Sequence, residues 1–182
     1  MNNDRLTLAA ILALVRATLT LLLASLVSRL APQASFGPKL ITAVLTVLSF
    51  LLFAYIFTTL KRLLNERYQF HGTDLAIAGL IGVNGLAALL TLAGVFLPGV
   101  SETWLLKTVS VLFGLLLVGF ALQLFRLQDN LFGFLKPYAF LTAVAGVGIA
   151  SLKLAGVGVI FGAVADILLA VIFIKATGRS TT

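Results

Sequence analysis

Apolar runs of about 20 residues recur along this 182-residue chain, each long enough to cross a hydrocarbon core of about 30 Å as a helix. The chain is 60% hydrophobic and 10% charged, whereas a soluble domain carries roughly 25% charged residues. It therefore lacks the polar surface that a water-soluble enzyme of this size needs. The expected fold is an all-α integral membrane protein, a single transmembrane helical domain over residues 1–182. Spans are expected over about 6–30, 40–60, 74–97, 104–124, 138–154 and 156–176. Ala31-Pro32 ends the first span, Gly37-Pro38 precedes the second and Lys61-Arg62 stops it, and Pro98-Gly99 closes the third. The apolar stretch from Tyr138 to Ile174 is far longer than one crossing of about 20 to 25 residues. It should fold as two spans, broken at Ser151-Leu152-Lys153-Leu154-Ala155-Gly156. An alternative has five spans with 145–160 as a re-entrant loop, suggested by the doubled Ala145-Gly-Val-Gly-Ile and Ala155-Gly-Val-Gly-Val.

Loop charge supports six spans and sets the orientation. Arg5, Lys61, Arg62, Arg67, Arg126, Lys136, Lys175 and Arg179 fall on one side, and Arg29, Lys39, Lys107 and Lys153 on the other. By the positive-inside rule the first side, with both termini, is cytoplasmic in a bacterial-type inner membrane. Trp104 and Tyr138 then fall at the outer and inner aromatic belts. Arg16 interrupts the apolar stretch after Arg5, so the N-terminal segment reads as a retained span rather than a signal peptide. The excess of 13 Lys+Arg over 6 Asp+Glu is a matter of topology and contact with an anionic leaflet, not of nucleic-acid binding.

Absent residues exclude chemistry. With no Cys, one His (His71) and one Met (Met1), the chain lacks the ligands for iron–sulfur clusters, structural zinc or bis-His haem. No spacing brings a Ser and a carboxylate to His71. Neither catalysis nor a cofactor or metal is expected.

A shift of 64 residues lays spans 2 and 3 over spans 4 and 5, matching Arg62 with Arg126, Phe70 with Phe134 and Gly82-Val83 with Gly146-Val147. A tandem hairpin repeat of this kind is one way in which transporters build a site at an internal interface.

Arg16 and Asp166 are the charges deep inside expected spans, each costing roughly 2.5 to 3.5 kcal/mol at the centre of an isolated helix. Counted from Arg5 and Lys175 at about 1.5 Å per residue, both lie roughly 15 Å deep, and Asn84 is level with them, counted from Asp74. Gly158, Gly162, Asp166 and Ala170 follow at intervals of four, and Ala9, Ala13, Arg16, Ala17, Thr20 and Ala24 form a similar small-residue stripe on span 1. Such stripes let helices approach closely. Gly79, Gly82 and Gly85 flank Asn84. These faces should turn inward, with Arg16 and Asp166 as partners. Either Asn84 satisfies their leftover donors, or the three residues form a polar binding site.

The loops on the basic side interleave charge with apolar residues. Lys61, Arg62 and Arg67 alternate with Leu63, Leu64, Tyr68 and Phe70; Arg126 and Lys136 bracket Leu131, Phe132, Phe134 and Leu135. This pattern suits a helix continuation in the headgroup region of an anionic leaflet. Six short spans in a chain of this length, with Ala9-xxx-Ala13 on span 1, are similar to the substrate-binding components of energy-coupling-factor vitamin transporters. That resemblance implies that the stripe meets a coupling subunit. The expected function is non-catalytic: a transporter or a solute- or lipid-binding subunit, with a scaffold or accessory subunit of a membrane complex as the alternative. Membrane lipids, and a second copy or a membrane-complex subunit, are the expected partners.

Overall fold

A computed structural model describes residues 3–29, 36–97, 104–127 and 131–178. The described residues are helical and contain no strand: α1 (Asn3–Arg29), α2 (Phe36–Tyr68), α3 (Asp74–Phe96), α4 (Trp104–Phe125), α5 (Leu135–Ala150) and α6 (Ala155–Gly178), with a 3₁₀ turn at Leu131–Gly133. Five of these, all but α5, are long and apolar enough to cross a membrane. At about 1.5 Å per residue the 16 residues of α5 reach roughly 24 Å. Ala31-Pro32, Pro98-Gly99 and Arg179 lie outside the described residues.

Two helices begin earlier than expected, for one reason. Pro38 and Pro137 were expected to precede α2 and α5, but each sits in the first turn of its helix. The N–H that proline lacks would have no intrahelical partner there, and its fixed φ suits the helix. The break between α5 and α6 falls where the sequence places it and is held by one side chain. The Ser151 hydroxyl donates to Gly148 O at 2.8 Å and accepts from the Leu154 N–H at 3.2 Å. It thus satisfies one carbonyl ending α5 and one N–H opening α6. Leu152 completes the turn in the left-handed region, at φ 56.

The helices form a closed ring. Each packs against its neighbours in sequence, and α1 against α6 closes the circle; no described helix runs down the middle. Large side chains fill the ring at one end. Leu6, Phe53, Ile56, Leu60, Leu63, Leu64, Ile77, Leu80, Phe120, Leu124, Tyr138 and Phe173 are its largest fully buried side chains. All of them lie in the half that carries Arg5, Arg62 and Lys175. Beyond Thr20 on α1 and Leu80 on α3 neither helix has a buried described side chain, and the buried residues of the other half are smaller, among them Thr42, Ala43, Thr46 and Val109.

This packing corrects three expectations. Leu63, Leu64, Leu131 and Leu135 are core residues, and Tyr68, Phe70, Phe132 and Phe134 pack against that core. The four leucines are thus withdrawn from headgroups, and the four aromatic residues are so in part. Tyr138 is buried in the interior, not at a lipid-facing belt, whereas Trp104 is exposed. The proposed hairpin repeat is not matched in packing. Gly114 and Gly146 bring α4 and α5 together, since a Cβ on Gly114 would lie 2.5 Å from Gly146 O. Their counterparts under the 64-residue shift are Phe50 and Gly82, and nothing approaches Gly82 within 4 Å.

Candidate functional site

Arg16 of α1 and Asp166 of α6 face each other across the junction that closes the ring. Arg16 Nη1 donates to Asp166 Oδ1 at 2.5 Å and to Oδ2 at 2.6 Å. The guanidinium also lies over the Phe53 ring, 4.6 Å from its centroid, an arrangement favourable for a cation on a π face. Three helices are thereby tied together by one side chain. The Asp166 side chain is 6% exposed and that of Arg16 15%, so the pair is withdrawn from lipid, as a charge in hydrocarbon must be.

Asn84 does not complete this pair. Among the described residues no group bonds to its amide, and Arg16 Nε is buried without a partner. What joins the three residues is space: Arg16, Asn84 and Asp166 line one cavity of about 210 Å³. All six helices contribute to its wall. Thr20 comes from α1; Ser49, Phe53 and Phe57 from α2; Phe113 and Leu117 from α4. Tyr138, Thr142, Ala145 and Ile149 form one stripe of α5, and Gly158 and Gly162 belong to α6.

The cavity offers hydrogen-bonding capacity that the protein leaves unused. Thr42, Thr46, Thr58, Thr59, Thr91, Thr108 and Thr142 each donate to a carbonyl four residues back in their own helix, the usual way a hydroxyl is satisfied within a helix. Thr20 does not: its Oγ1 is buried with no partner. Arg16, Thr20 and Asn84 thus border a common space together with the aromatic residues Phe53, Phe57 and Phe113, and Arg16 Nε and Thr20 Oγ1 are buried beside it without a partner.

No protein-family model matches this chain, and no match was found among curated proteins or solved structures. The function must be read from the site itself.

The stripes divide their roles. Ala9, Ala13 and Ala17 are buried within the chain, so the first two are not free to meet a coupling subunit as the family resemblance implies; Ala24 is exposed. On α6, Gly158 packs into α5, where a Cβ would lie 2.7 Å from Ile149 N and 2.8 Å from Ala145 O. Gly158 and Gly162 both border the cavity, and Ala170 is in the core. In α3, a Cβ on Gly85 would meet the Phe50 ring and one on Gly79 would meet Leu116, while Gly82 faces open space.

Of the basic residues near the filled end, Arg62, Arg126 and Lys136 are exposed. Arg67 Nη1 donates to Ala176 O, tying α2 to the end of α6. Lys61 Nζ lies 3.7 Å from Asp74 Oδ2, where His71 Nδ1 is also found, at 3.5 Å, and Asn65 donates to the same carboxylate at 2.9 Å. Among the described residues no group of His and acidic side chains could hold a metal.

Ser49 and Thr142 are cavity residues that sequence reading did not single out, and Tyr138 is one that it placed at the inner aromatic belt. Their signal was helical spacing: Ser49, Phe53 and Phe57 lie on one face of α2, as Tyr138 and Thr142 do on α5. A threonine among leucines is too common to stand out until the facing helix is known.

Proposed function

We propose that this chain is a six-span protein of a bacterial-type inner membrane, not an enzyme, that binds a small neutral solute in the central cavity as a transporter or its solute-binding subunit. One observation carries the reading: Arg16, Thr20 and Asn84, polar residues of α1 and α3, line one cavity to which all six helices contribute. A scaffold subunit has no use for such a space, and leucine would fill it more cheaply. The Arg16–Asp166 pair is internally neutralised, which favours a solute without net charge. Phe53, Phe57 and Phe113 supply apolar surface, and a volume of about 210 Å³ suits a molecule smaller than the drug-sized ligands of roughly 300–1,000 Å³ pockets. The filled half of the ring blocks passage toward the basic end, so the solute enters from the opposite side.

The chain has no cysteine, so thiol labelling tests this directly. Asn84→Cys and Ser49→Cys are expected to react with a small water-soluble thiol reagent, and a solute that fits should protect both. Leu89→Cys, on the exposed apolar face, should react slowly in a bilayer. Unreactive cysteines at 49 and 84 would mean a dry layer and would favour the scaffold reading.

Orientation is tested in the same background. With both termini cytoplasmic, Asn2→Cys and Ser180→Cys should be protected from an impermeant reagent in intact cells while Ser101→Cys is labelled. The reverse pattern would place the cavity mouth on the cytoplasmic side.

A further inference from the structure

A second cavity, of about 450 Å³, lies between α1 and α2 near the filled end, bordered by Arg5, Ala54, Tyr55, Thr58, Thr59 and Arg62. We propose that it is a binding site for the headgroup of one anionic, hydroxyl-bearing phospholipid, with the phosphate between Arg5 and Arg62. This inference is independent of the solute-binding cavity.

Three observations converge on that occupant. The first is uncompensated charge. Neither Arg5 nor Arg62 pairs with a carboxylate among the described residues, although Asp4 is adjacent to one and Glu66 one turn beyond the other. Two guanidinium groups from two helices, opening on one cavity, offer the planar donor forks that phosphate oxygens accept.

The second is the disposition of hydroxyls. Thr58 and Thr59 have committed their protons to Ala54 O at 2.7 Å and Tyr55 O at 2.9 Å. Both residues border the cavity, and with their protons committed they can meet an occupant as acceptors only. Donors at Arg5 and Arg62 with acceptors at Thr58 and Thr59 match a phosphate that carries a polyol such as glycerol. They match a quaternary ammonium headgroup poorly, because it has no proton to give.

The third is what lies deeper. Leu8 follows Arg5 by one turn of α1, and Leu51 precedes Ala54 and Tyr55 by one turn of α2, both exposed. Residues three or four apart share a helix face. An apolar strip thus continues inward from the charged site, where acyl chains would run. Free phosphate would leave this strip unused.

Native mass spectrometry of the detergent-purified protein, titrated with phosphatidylglycerol, tests the proposal. Wild type should hold one phosphatidylglycerol more tightly than the rest, and Arg5→Gln or Arg62→Gln should each weaken that binding about tenfold, the scale of losing a charge-assisted contact. Arg126→Gln, an exposed basic residue toward the same end, should leave it unchanged. Equal retention by the Arg5→Gln/Arg62→Gln double variant, or an equal loss in Arg126→Gln, would overturn the site. Equally tight binding of phosphatidylcholine would overturn the headgroup assignment. Displacement of the lipid by inorganic phosphate at matched concentration would overturn the lipid as occupant. All substituted residues are exposed, so unchanged thermal unfolding in lipid-free detergent serves as the folding control.

Discussion

Replacing Arg16 with leucine is expected to destabilise the protein by about 3 to 5 kcal/mol, because Asp166 would remain buried without its counter-charge. Asp166→Leu should cost about as much by the same logic, leaving the guanidinium over Phe53 and uncompensated. The double variant should lie well above the sum of the two losses, near wild type, since replacing both members of a buried pair with apolar groups is often neutral. Unfolding midpoints in one detergent would measure all three. Simple additivity would show that the contact of Nη1 with both carboxylate oxygens contributes nothing to stability. Asn84→Leu is the useful contrast. Asn84 bonds to neither charge, so its loss should leave stability within about 1 kcal/mol while removing solute protection of a cysteine at position 49.

The second large effect is expected at glycines that sequence spacing alone does not rank. A Cβ at Gly114 would sit 2.5 Å from Gly146 O and 2.6 Å from Ala150 N, and one at Gly158 would meet Ile149 N and Ala145 O. These are backbone atoms, which cannot swing aside as the end of a side chain can. Gly114→Ala or Gly158→Ala should therefore push a whole helix away from α5, at about 3 kcal/mol each, the upper end of the usual cost of overpacking. Gly82→Ala and Gly119→Ala meet nothing within 4 Å, and by helix propensity should be neutral or stabilising by up to about 1 kcal/mol. If all four behaved alike, α5 would not be clasped between α4 and α6 as described. Because α5 is the shortest of the six helices, loss of this clasp should also open the cavity that Thr142 and Ala145 line, and labelling at 84 should rise in the Gly114→Ala variant.

Much of this was open to inspection in the sequence, for identifiable reasons. Helix number and the break near Ser151 follow from run length, because hydrocarbon thickness sets a length scale that local sequence must match. The partnership of Arg16 and Asp166 follows from cost: two charges of opposite sign at one depth in an otherwise apolar chain have little else to pair with. Helix spacing likewise carried Ala9, Ala13 and Ala17 to a buried face. What sequence left undecided was the direction in which each apolar residue points. These helices are apolar on all sides, so a leucine for lipid and a leucine for the core look the same, and only packing sent Leu63, Leu131 and Tyr138 inward. The cavity is a property of six helices closing into a ring that large side chains fill at one end and not at the other. No single segment encodes a void, because a void is where residues from different segments fail to meet, and tertiary structure alone decided that Asn84 should face it unpaired.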